Sequence, residues 1–230
     1  MDDVLPDVTV RERTLSRDEI ERLRASAAPP HLIDCDLEEA DLTGLDLSRW
    51  TFERCNLRRA DLTGARLEGT LWQSCRAAHA NFVRADLSDA RFVASDLNNC
   101  AFRRATLAAA LFERCKLTGA DLSDARSLDV RFDETLLIHA KLPGYSFRKQ
   151  AISKIDFSEA DLRKCDFRGT TFEGCSLRDA NMLGSRFDGA DLRGADLGGL
   201  RLVDASLFRG ATISRDQAGQ LLGELGLNVR

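Results

Sequence analysis

Several things that chemistry usually needs are scarce in this 230-residue chain. No apolar run approaches the roughly 18 residues that span a bilayer, which excludes a transmembrane helix. The seven cysteines form no CxxC pair and are odd in number, which argues against a zinc or paired-disulfide framework. Histidine occurs three times, at His31, His79 and His139, never beside a plausible nucleophile. No glycine-rich phosphate loop is present. Neither charge sign dominates, with 33 Lys and Arg against 37 Asp and Glu, so a general nucleic-acid binder with a basic stripe is disfavoured. Asp2 and Asp3 do not read as a secretory signal. The expectation is a soluble, cytoplasmic, non-enzymatic protein with no cofactor or metal.

What is present is a period of five. From Leu32 to Leu207, 34 of the 36 residues at every fifth position are Leu, Phe, Ile, Met or Trp, and Ala77 and Ser127 are the exceptions. Two residues before each runs a second series rich in Ala, Cys, Ser and Thr, which includes all seven cysteines. Five matches neither the 3.6 of a helix nor the 2.0 of a strand, so the repeat is tertiary. The unit reads small, polar, large apolar, polar, polar or Gly, as in Ala40-Asp41-Leu42-Thr43-Gly44 and Ala190-Asp191-Leu192-Arg193-Gly194. Eleven of the sixteen glycines fall in the fifth column, where a tight turn favours a residue tolerant of positive φ.

In these columns the chain resembles the pentapeptide-repeat family, whose consensus is A(D/N)LXX, over residues 30–209. The resemblance implies an all-β solenoid, a right-handed quadrilateral β-helix of four pentapeptides per coil. Nine coils at a strand spacing of about 4.8 Å predict a stack of roughly 43 Å. Residues 20 apart then share a face, and one inward column reads Leu32, Phe52, Trp72, Phe92, Phe112, Phe132, Ile152, Phe172, Leu192. Free cysteines on the inward small column act as small hydrophobes. His79 and His139 are three coils apart, about 14 Å, too far to share a metal. Ser127 stands where an apolar residue belongs, and Tyr145 and Gln150 stand where small ones do. That face is expected to be bulged or repacked, either as drift tolerated by the repeat or as a deformity shaping a partner surface.

Both ends carry covers for open strand edges. Ser16-Arg17-Asp18-Glu19 is a capping box, with Leu15 and Ile20 placed as a hydrophobic staple, and predicts a helix from about Arg17 to Ala27, ended by Pro29-Pro30. Ser214 and Gln217 form a second box, followed by Ala218, Leu221, Leu222 and Leu225 at helical spacing, Gly226 as terminator, and Leu227 and Val229 alternating as a short strand. The predicted division is an N-terminal segment over 1–29, the β-helix over 30–210 and a C-terminal helix and strand over 211–230.

This tail is similar to that of the Qnr-type, MfpA-type and albicidin-resistance pentapeptide proteins. The resemblance implies a homodimer through Ala218, Leu221, Leu222, Leu225, Leu227 and Val229. It also implies a dimer that imitates duplex DNA in the saddle of DNA gyrase or topoisomerase IV and protects the enzyme from poisons, with no direct nucleic-acid binding and no membrane. The outward acids that would carry the imitation are Asp36, Asp96, Asp156 and Asp196 on one column and Asp41, Asp61, Asp121 and Asp161 on another. Asp there is also the family's ordinary turn residue. The near-neutral repeat and the lack of room for projecting loops bring the chain closer to the MfpA type. The competing readings are a scaffold or adaptor with no topoisomerase role, a monomeric cap in place of the dimer, and a secreted effector with residues 1–30 as export segment.

Overall fold

The computed structural model describes residues 8–200, 206–224 and 226–229. The chain is a parallel β-solenoid of about nine coils with one helix near each end, and it divides into two compact units, residues 1–131 and 132–230.

In the first unit, β1 (Thr9–Arg11) precedes α1 (Arg17–Leu23), and β2 (His31–Ile33), β3 (Thr51–Glu53), β4 (Leu71–Gln73), β5 (Arg91–Val93) and β6 (Leu111–Glu113) stack in order. Every pairing from β2 to β6 is parallel with a 20-residue offset, as in Leu32 with Phe52 and Phe52 with Trp72. Single bridges at the same offset, Asp36 with Asn56, Asp41 with Asp61 and Asp46 with Arg66, mark the other three sides. Twenty residues therefore close one four-sided coil. Three corners are closed by an N–H of the small residue donating to the large residue three back, as from Ala40 to Leu37 and Ala60 to Leu57. The residue before each donor has positive φ, such as Glu39 at 57° and Gly44 at 65°, which is type II turn geometry. Non-glycine residues hold this conformation throughout the fifth column, so coil stacking overrides a local cost of about 1–2 kcal/mol per residue.

The fourth corner holds five of the seven cysteines, Cys35, Cys55, Cys75, Cys115 and Cys175, while Cys100 and Cys165 sit at turn-closing corners. Cys55 Sγ donates to the carbonyls of Leu32 and Glu53, Cys75 Sγ to Phe52 and Gln73, and Ser95 Oγ takes the equivalent place against Trp72 and Val93. A side chain small enough for the corner, yet carrying a donor, fits best. The rings beside this column stack, with centroids 4.3 Å apart for Phe52 and Trp72, 5.3 Å for Trp72 and Phe92 and 4.9 Å for Phe92 and Phe112. Trp72 Nε1 donates to Thr70 Oγ1, so even its polar atom is satisfied inside. At the flaw, Ser127 and Ala125 are only half-buried and Leu128 is 73% exposed, because Ser127 offers no apolar side chain to fill the interior.

The N-terminal cap is more than a helix. β1 pairs with β2 at a 22-residue offset, and Leu15 N–H donates to Asp36 O, so residues 9–15 pair along the first coil. The capping box is complete and Leu15 and Ile20 are buried. The helix stops at Leu23 rather than Ala27, and Arg24 N–H bonds back to Ile20 O as its last turn.

β7 (Arg131–Asp133) falls at the division of the chain, and the second unit contains β8 (Ala151–Ser153), β9 (Thr171–Ser176), β10 (Asp191–Asp196) and α2 (Arg215–Glu224), with β8, β9 and β10 parallel. Residues 133–150 keep the five-residue turn rhythm without an extruded loop, and Tyr145 is buried against Phe132. The expected register fails near the end. Asp191 bridges Thr212, a 21-residue offset, and Phe187 N–H reaches Leu207 O. Phe208 rather than Leu207 stacks on Phe187, at 4.6 Å. The register is thus regular at Leu200, whose N–H closes its turn on Leu197 O, and is shifted by one residue at Leu207. The short strand expected at Leu227 and Val229 is not formed in the single chain, where both residues are exposed.

Candidate protein-interaction faces

All eight predicted aspartates lie in the outward column, and each first serves its own turn. The Oδ1 of Asp36, Asp41, Asp61, Asp96, Asp121, Asp156, Asp161 and Asp196 accepts the backbone N–H two residues on, at 2.9–3.2 Å. This Asx geometry is local turn chemistry. Several of these carboxylates are also neutralised. Arg17 lies 3.0 Å from Asp41, Arg163 2.6 Å from Asp161 and Arg178 2.9 Å from Asp196, while Asn56 Nδ2 donates to Asp36. The hydroxyl and N–H of Thr43, with Arg17, hold Asp41 below its ordinary pKa, and the Arg163 guanidinium does the same for Asp161.

Asp41 and Asp61 are bridged neighbours on successive coils, the only two of the eight directly paired in this way among the described residues. Elsewhere the columns alternate. In the first unit one column runs Asp36, Asn56, Arg76, Asp96, Lys116, bridged in sequence, and the other interposes Asn81 and Ala101 before Asp121. In the second unit Asp156 bridges Ser176 and Asp161 bridges Asn181. The faces are therefore mosaics of both signs, not unbroken carboxylate rows.

Sequence reasoning missed the pairs that make them so. Arg54 binds Asp34, Arg58 binds Glu38 and Lys154 binds Glu134, each 20 residues apart. Arg168 binds Asp166 and Arg193 binds Asp191 two residues apart, and the Arg193 pair holds Asp191 down at about 2. Opposite charges at those two offsets are the signal that would have found them. Burial pushes the Cys115 thiol up to about 11 and Cys165 up to about 12, so neither is a thiolate nucleophile near neutral pH.

At the C-terminal end the second capping box forms. Ser214 N–H donates to Gln217 Oε1 at 2.7 Å and Gln217 N–H to Ser214 Oγ at 3.1 Å. The buried Gln217 amide then donates to Leu192 O and Ala195 O, both at 2.7 Å, fastening α2 to coil carbonyls. Gly226, at φ 80°, ends the helix, and Leu227 N–H reaches back to Leu222 O in a Schellman pattern. Of the predicted interface residues, Ala218 and Leu221 are half-buried, while Leu222, Leu227 and Val229 are 39%, 55% and 56% exposed. Leu225 lies outside the described residues. A groove of about 560 Å³ runs between α2 and the tail, lined by Gly219, Gly223, Leu227 and Val229 among others.

Residues 30–99 and 72–142 match the pentapeptide repeat region family, and residues 131–169, 155–194 and 172–207 match pentapeptide repeats. No curated protein matches the chain. Among solved structures, a trypsin-treated single-substitution variant of QnrB1, a plasmid-mediated fluoroquinolone resistance protein, is similar at 24% identity and TM-score 0.61, over 87% of this chain and 97% of its own. Full-length QnrB1 is similar at 19% identity and TM-score 0.57, over 96% and 98%. HetL, a protein of heterocyst differentiation regulation from a Nostoc cyanobacterium, is 20% identical over 86% of this chain and 94% of its own, at TM-score 0.45. With five-residue turns, 20-residue coils and family matches spanning residues 30–207, the chain belongs to the pentapeptide-repeat proteins.

Proposed function

We propose that the protein is a non-enzymatic, cytoplasmic homodimer that binds a type II topoisomerase, DNA gyrase or topoisomerase IV, in place of DNA. By doing so it modulates the enzyme or shields it from poisons. The observation that carries this reading is the apolar C-terminal end, where Leu222, Leu227 and Val229 stand exposed beside a helix already locked to its coil by Gln217. Such a surface is what a second copy would cover, and the tail resembles that of the Qnr-type group. Residues 1–29 then cap, 30–210 present the faces and 211–230 dimerise. Asp41 and Asp61 on successive coils, with the aspartates spaced more widely along the columns, supply negative potential toward a basic groove. Direct DNA binding has no part in this role.

The test is a gyrase supercoiling assay at increasing protein concentration, with and without a quinolone. Inhibition or rescue is expected, and no effect at micromolar protein would defeat the proposal. A scaffold or adaptor is the second reading, favoured by the mixed charge of the faces. It predicts no effect in that assay whatever the oligomeric state.

A further inference from the structure

The cations of the first unit fall into two classes. Arg54, Arg58 and Arg59 on the second coil are each held by an acid one coil earlier, Asp34, Glu38 and Glu39. Arg84, Arg103 and Arg104, on the next two coils, are exposed, and none has an ion pair among the described residues. Register explains the difference. Twenty residues before Arg84 stands Gly64, before Arg103 stands Val83 and before Arg104 stands Arg84 itself. Arg84 N–H donates to Arg103 O, and Arg84 and Arg104 share the same backbone conformation, φ 60° and 59°. Their side chains therefore leave the coil in parallel, about 4.8 Å apart, as like charges in a ladder that would favour opposite ones. Ala101 stands in the outward column on the coil of Arg103 and Arg104, at the position where other coils carry Asp61 and Asp121.

We propose that Arg84, Arg103 and Arg104 form a docking site for a short carboxylate-rich segment of a partner protein. Charge complementarity identifies the chemistry, since three exposed guanidinium groups offer forked donors suited to carboxylates. The extent of the patch separates a protein from a nucleic acid. Asp61 lies on the coil before Arg84, and Asp121 and Asp124 on the coil after Arg104. Only about 14 Å separates these acids along the stack, the length of about four extended residues. A phosphate backbone running on in either direction would meet carboxylates, whereas a short acidic segment ends within the patch. The site is independent of the topoisomerase reading and uses none of the C-terminal residues.

The test is fluorescence anisotropy of a labelled polyglutamate peptide with the full-length protein. Salt-sensitive binding is expected, falling at least about tenfold in Arg84→Ser/Arg103→Ser/Arg104→Ser, with the melting temperature unchanged or raised. Arg163→Ser/Arg168→Ser in the second unit should bind as well as the parent, because Asp161 and Asp166 already occupy those guanidiniums. Absence of peptide binding, or an equal loss in this control, would overturn the proposal. So would tighter binding of duplex DNA that the triple substitution abolishes, which would make the patch a nucleic-acid site. Should the triple variant melt early, Arg103→Ser alone carries the test, and unchanged binding there counts against the site.

Discussion

The two ends of the chain start from the same local device, a capping box opening a short helix, and dispose of their apolar surface differently. At the N-terminal end the cover is complete. β1 pairs with β2, Leu15 and Ile20 are buried, and Arg17 and Arg24 donate to the carbonyls of Asp41, Thr43 and Asp46. At the C-terminal end Thr212 bridges Asp191 and the Gln217 amide fastens α2, while Leu222, Leu227 and Val229 are left exposed. A solenoid end can thus be closed by the chain's own strand and apolar side chains, or pinned by a polar contact that leaves an apolar surface for something else. The second arrangement is what makes the C-terminal end a candidate interface.

The contrast can be broken at each end. Ile20→Ala should show the largest stability effect, about 2–4 kcal/mol in urea unfolding, because a fully packed side chain leaves a cavity. Gln217→Ala should cost about 1–3 kcal/mol, since it strands two carbonyls at Leu192 and Ala195. An unchanged unfolding midpoint there would show that α2 is not anchored by that amide. Leu222→Glu with Leu227→Glu should stay within about 0.5 kcal/mol of the parent as a monomer. Sedimentation equilibrium should nevertheless fall from dimer to monomer mass, and an identical mass for parent and variant would end the dimer proposal.

The smallest effect is with pH. Glu19 at the N-terminal cap is held low chiefly by the Ser16 backbone N–H and hydroxyl, and Asp191 in β10 is held at about 2 chiefly by Arg193. A carboxylate with a depressed folded pKa stabilises the fold above its ordinary value, and that contribution is lost as pH falls through the folded one. The melting temperature should therefore be flat above roughly pH 4.5 and decline toward pH 2, with Asp191→Asn removing part of the slope.

Much of this architecture is legible in the sequence. The inward columns from Leu32 to Leu197, the glycine-rich turns and both capping boxes follow from residue type at fixed spacing, and the structure keeps them. Three things were not legible. β1 carries no pentapeptide signature and forms because Thr9–Arg11 finds an open edge at β2. The slip that places Phe208 on Phe187 leaves the apolar rhythm nearly intact, since Leu207 and Phe208 are adjacent and either could fill the interior. The aspartate columns looked like acidic rows because a sequence column omits the Arg that pairs with Asp161 from two residues away, with Asp196 from eighteen and with Asp41 from twenty-four.

By itself, then, the sequence determined the solenoid. A side chain of fixed size every fifth residue leaves one way to fill a four-sided interior, and that constraint is local and repeats with each coil. Only the tertiary structure decided the surface. Which carboxylates are neutralised, which arginines at positions 84, 103 and 104 go without an ion pair, and which apolar residues at the C-terminal end remain uncovered all depend on neighbours a coil away. Coulombic pairing and edge coverage are properties of those neighbours, and stacking brings them together.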